Sequence, residues 1–97
     1  MKDNNGHKLE ASFVTLAMSV ASSALMSLGL VPDPQSNKTK VNLDLARFNI
    51  DLLEMLSLKT KGNLTKEEQD FMNQVLADLK MKFVEVSHVE KSSNKSI

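Results

Sequence analysis

Residues 42–68 read NLDLARFNIDLLEMLSLKTKGNLTKEE, and this stretch decides the fold. Asn42 is a good N-cap, and Asp44 follows in the first turn, where the helix dipole favours an anion. Asp44, Arg47, Asp51 and Glu54 recur at three and four residues and form a polar stripe. Leu45, Phe48, Leu52 and Leu56 form one apolar row beside it, and Ala46, Ile50 and Leu53 form another. Lys59 and Lys61 suit the last turn, and Gly62 supplies the C′ residue that stops a helix. Only Asn63 and Leu64 separate that stop from Thr65-Lys66-Glu67-Glu68, a capping box in which Thr65 and Glu68 satisfy each other's free amides. Two helices joined this closely make an antiparallel hairpin.

Downstream, Met72, Leu76, Leu79, Phe83 and Val86 form a core row, while Asp70, Asp78, Lys80, Lys82 and Glu85 supply a solvated face. Upstream lies a different kind of helix, with no charged residue anywhere in residues 11–32. Phe13, Leu16, Val20 and Ala24 lie on one apolar face; Val14, Met18, Ala21, Leu25 and Leu28 lie on the next. The remaining stripe, Ser12, Thr15, Ser19, Ser22 and Met26, with Ser23 and Ser27 beside it, is built from hydroxyls. A surface helix of a soluble monomer normally carries charge there, so something besides bulk water is expected to cover this face. Gly29 ends the helix, and Pro32-Asp33-Pro34 followed by Ser36-Asn37-Lys38-Thr39 is loop chemistry.

The expectation is an all-α domain over residues 9–88, with helices at about 9–28, 43–61 and 66–87. Residues 1–8 and 89–97 are mostly polar and are expected to be flexible. The folding part is then about 75 to 80 residues, a size at which a lone core is marginal and a staple is usual. There is no Cys, which excludes a disulfide and is compatible with a reducing cytoplasm. The only imidazoles are His7 and His88, so no metal site is expected. Oligomerisation is the staple that remains.

Twelve basic and twelve acidic residues give a net charge of zero, which argues against non-specific nucleic-acid binding. There is no Trp or Tyr, and the four Phe fall at helical core spacings and are not interleaved with Arg or Lys. Nucleophilic catalysis has no usable constellation, since its only bases would be two peripheral histidines. The expectation is a protein with no catalytic residues and no cofactor.

Leu28-Gly29 with Pro32-Asp33-Pro34, then Asn42-Leu43-Asp44-Leu45-Ala46, Ile50-Asp51-Leu52-Leu53 and above all Lys59-Thr60-Lys61-Gly62-Asn63-Leu64-Thr65-Lys66-Glu67-Glu68 carry a resemblance. The chain resembles, from about Phe13 to Val84, a bacterial family catalogued as domain of unknown function 1844. Lys80-Met81-Lys82-Phe83 departs from it, where the family pattern has an Arg and a Tyr. The resemblance implies a short bacterial helical protein and brings no activity with it.

Two motifs have functional readings. Lys59, Lys61, Gly62, Asn63 and Thr65, with Lys66, could hold a phosphate or carboxylate against the free amides of a helix start. The same residues are explained by stopping one helix and starting the next, and the order is not that of a Walker loop. Glu85-Val86-Ser87-His88 has the Glu-x-x-His spacing of di-iron bundles, but such a site needs a second motif and two further inward carboxylates.

The first helix decides the rest. As an association helix, it would place Phe13, Leu16, Ala17, Val20, Ala21, Ala24 and Leu28 at a contact between copies, the alanines permitting close approach. As a membrane segment, its uncharged run has the length to span, although its many hydroxyls weaken it. As a signal peptide cleaved at Ser22-Ser23-Ala24, it would follow a leader containing Asp3 and Glu10 where basic residues belong. The first reading leads: a cytoplasmic, non-enzymatic, self-associating scaffold or adaptor of unknown protein partner. The alternative is a membrane-associated accessory protein anchored by the first helix, and after it an anion-responsive regulator using the lysine-rich turn.

Overall fold

The computed structural model describes residues 11–95, with side chains described through Lys91. Its elements are α1 (Phe13–Ser27), α2 (Leu43–Lys59) and α3 (Lys66–Lys95), and each helix packs against the other two. The three-helix, all-α architecture agrees with the periodicity of the sequence. Three helix ends differ from expectation, each for a local reason.

α1 starts at Phe13. Ser12 is not part of the helical hydroxyl stripe: its backbone is extended and its Oγ accepts the Thr15 amide at 3.1 Å, so it is the N-cap. Leu9 and Glu10 lie outside the described residues. The other end closes as a Schellman motif, with the Gly29 amide on the Met26 carbonyl and the Leu30 amide on the Leu25 carbonyl, both at 3.0 Å. Gly29 has a φ of +75°, and a Cβ there would lie 2.8 Å from Val41 Cγ2. The residue must therefore be glycine on two counts, backbone conformation and close approach. That approach belongs to a neck at which Leu28 bridges antiparallel to Val41 and the Asn42 amide donates to the Ser27 carbonyl at 2.7 Å.

α2 begins as expected, with Asn42 Oδ1 accepting the Leu45 amide at 3.1 Å. It ends two residues before Lys61: the Thr60 amide and hydroxyl both donate to the Leu56 carbonyl, at 3.1 and 2.6 Å, but the Lys61 amide turns to the Leu58 carbonyl instead of continuing the ladder. Gly62, at a φ of +87°, sits one residue past C′, in a turn closed by the Asn63 amide on the Thr60 carbonyl. The capping box forms in full: Thr65 N–H donates to Glu68 Oε1 at 2.9 Å, and Glu68 N–H donates to Thr65 Oγ1 at 3.1 Å.

α3 does not stop near residue 87 but runs to Lys95, through most of the segment expected to be flexible. No Gly or Pro follows Gly62, and extending an existing helix fixes only one residue for each hydrogen bond gained.

The core joins Ala17, Ala21 and Ala24 of α1 to Ile50 and Leu53 of α2 and to Met72 and Leu79 of α3. Phe13, Val20, Leu56, Leu76 and Phe83 close its margin. Alanines on α1 let its backbone approach both neighbours, which is how so short a chain buries a core. Lys80 pairs with Glu54 across the α2–α3 seam, and the Arg47 guanidinium lies 5.2 Å from the centre of the Phe83 ring.

Candidate functional site

The residues expected at a contact between copies are placed mainly in the chain's own interior. Ala17, Ala21, Ala24 and Leu28 are buried within the single chain, and Phe13 and Val20 are half-buried. Leu16 alone of that set is turned outward, at 49% exposure. The small-residue stripe is the surface on which α1 meets its own neighbours. Of the hydroxyl stripe, Thr15, Ser19 and Ser22 face out as read, while Ser23 and Met26 are half-buried and Ser27 is buried.

A second open apolar surface lies on α2. Of its two apolar rows, Ala46, Ile50 and Leu53 are buried; the other splits, with Leu56 packed on the core margin and Leu45 and Phe48 left open. Leu45 is 46% exposed, Phe48 56% and Met55 42%, with half-buried Leu52 between them. Asp44 and Lys59 are exposed at opposite ends of this row. Sequence periodicity identified both rows without distinguishing them, and it left Met55, which takes the place of Leu56 on the open face, out of either. An isolated exposed leucine means little, but a full row with a phenylalanine at its middle is a surface that water covers poorly. The uncharged outer face of α1 lies alongside, since Ser23 and Met26 of α1 and Leu45 of α2 line one cleft.

That cleft, about 580 Å³, opens between the C-terminal end of α1, the loop after it and the start of α2. Ser27 and Asn49 are buried and line it. Ser27 Oγ donates to the Ser23 carbonyl at 2.7 Å. Asn49 Nδ2 donates to the Leu45 carbonyl at 3.1 Å and to Ser27 Oγ at 3.4 Å. The loop is tied by the Asp33 amide on the Lys38 carbonyl, the Asn37 amide on the Asp33 carbonyl, and the Gln35 amide on Asp33 Oδ1. Asn37 accommodates the reversal at a φ of +63°. None of this was foreseen from the sequence. The available signal was Asn49, a polar residue on the buried row between Ala46 and Leu53.

In the lysine-rich turn, Lys59, Lys61, Gly62, Asn63 and Thr65 are all exposed. Three of its amides are occupied: Lys61 N–H donates to the Leu58 carbonyl, Asn63 N–H to the Thr60 carbonyl and Thr65 N–H to Glu68. Lys66 pairs with Asp70 at 2.9 Å, and Glu67 and Glu68 already place negative charge at the start of α3. These bonds stop α2 and start α3, which is the connector role of the turn. Glu85 and His88 are exposed on α3, and among the described residues no three His, Cys, Asp or Glu side chains are placed to hold a metal. His7 lies outside the described residues.

The membrane-spanning reading of the first helix is corrected. α1 has 15 residues. At about 1.5 Å per residue that is about 22 Å, against a hydrocarbon layer of about 30 Å. No helix among the described residues is long and apolar enough to cross a membrane.

The model of a family described as Domain of unknown function (DUF1844) matches residues 10–85. No curated protein and no solved structure matches the chain.

Proposed function

The chain belongs to the family described as domain of unknown function 1844, and because that membership carries no activity, we propose from the geometry that it is a non-enzymatic, self-associating scaffold or adaptor. The observation behind this reading is the open row Leu45, Phe48, Leu52 and Met55, beside an α1 face with no charge to hold water. The occupant that fits is a second copy. In an antiparallel approach of two α2 helices about their midpoints, Phe48 meets Met55 of the other copy at the centre. Asp44 then meets Lys59 of the other copy at each end, an isologous arrangement with opposite charges in register. Knobs of this size packing between helices would cover the row without any change of backbone.

Light scattering on a size-exclusion column tests the proposal. The wild-type chain is expected to elute at twice the chain mass of 10.8 kDa, and Phe48→Glu at the single mass. Phe48 is already more than half exposed, so the substitution leaves the interior untouched. A wild-type chain that stays at single mass up to high micromolar concentration overturns the proposal.

A further inference from the structure

We propose that the cleft between the end of α1, the 29–41 loop and the start of α2 binds a small organic anion that also carries hydroxyl groups, the class of a polyol phosphate. The volume of about 580 Å³ falls within the range of small-molecule sites. Its chemistry is divided between floor and rim. On the floor, Asn49 is 7% exposed, and both its amide hydrogens are directed at protein oxygens, on Leu45 and Ser27. Its Oδ1 accepts no hydrogen bond from any described residue. An acceptor without a protein donor, on a residue that lines the cleft, is available to a ligand hydroxyl.

On the rim, Lys38 and Lys40 line the cleft, and neither forms an ion pair among the described residues. The one acid in the lining, Asp33, already accepts the Gln35 amide. Two ammonium groups against one carboxylate leave a net positive charge that favours an anion at the mouth. Ser36 and Thr39 add hydroxyls there, while Met26 and Leu45 offer apolar wall to a carbon skeleton. The loop bonds hold this rim in place before any ligand arrives, so binding loses little to ordering.

The test is a titration of the full-length ¹⁵N-labelled chain with glycerol 3-phosphate and ribose 5-phosphate, with inorganic phosphate and glycerol run separately. Saturable shifts of the Asn49 side-chain amide and the Ser27 backbone amide are expected with at least one of the organic phosphates. Lys38→Gln combined with Lys40→Gln, both on an exposed loop, should weaken that binding by about tenfold or more. The proposal is overturned if neither organic phosphate gives a saturable shift or if the double variant binds as tightly as wild type. Inorganic phosphate binding equally well would also overturn it, because the floor would then play no part. All these readouts are independent of the mass of the particle.

Discussion

Asn49 of α2 donates its side-chain amide to the hydroxyl of Ser27 on α1, 22 positions away in sequence, at a site where both side chains are buried. It is a polar tie between two helices at the end where the neck also joins them. Each group has a second partner, the Leu45 carbonyl for Asn49 and the Ser23 carbonyl for Ser27. Ser27→Ala should therefore cost only about 1 kcal/mol, because Asn49 keeps its bond to Leu45. Asn49→Ala loses two bonds and leaves a gap, and should cost about 2 to 3 kcal/mol. Urea unfolding of both variants and their double variant should give a coupling of about 0.5 kcal/mol or more.

The two glycines with left-handed backbone should respond unequally to alanine. At Gly62 nothing lies within 4 Å of an added Cβ, so Gly62→Ala should cost only the conformational strain, about 1 kcal/mol. Gly29→Ala adds the clash with Val41 Cγ2 at 2.8 Å and should cost clearly more. Shortening the clashing partner with Val41→Ala should return part of the Gly29→Ala loss and none of the Gly62→Ala loss. Urea midpoints of the single and paired variants measure this directly.

Those glycines also mark what the sequence discloses. Asn42, the Thr65–Glu68 box and Gly29 are local devices, each complete within a few residues, and all three were placed correctly from sequence. The end of α3 had no such device to read. Periodicity likewise says that Ala17, Ala21 and Ala24 share a face, but it carries no information on whether that face meets α2 of the same chain or another molecule. The cleft was hidden for a related reason: it forms only when the 29–41 loop folds back over residues from two helices. Asn49 alone hinted at it, by breaking an apolar row.

The capping box offers a test that stays within one helix turn. Thr65→Ala removes the acceptor of the Glu68 amide at 3.1 Å and should cost about 1 kcal/mol. Glu68→Ala loses the reciprocal bond to the Thr65 amide and should cost less, because alanine is the better helix former at that position inside the helix. Thermal unfolding followed by circular dichroism should rank the two in this order.

Leu53 and Met72 are fully buried at the meeting of α2 and α3. Either residue replaced by alanine should cost about 2 to 5 kcal/mol in urea unfolding, much of the stability of a domain this small. Phe48→Ala, on the open row of the same helix, should scarcely change the unfolding of a dilute sample. Any cost at Phe48 should instead grow with protein concentration, as mass action requires of an associating face.

The most direct measurement is relaxation of methyl signals by a soluble gadolinium chelate, recorded over a dilution series of the full-length chain. Leu45 and Met55 on α2 and Met81 and Val84 on α3 are all outward-facing in the single chain, which makes α3 the internal control. Self-association through α2 predicts that Leu45 and Met55 become shielded as concentration rises, while Met81 and Val84 stay accessible. Equal accessibility of all four at every concentration would contradict it.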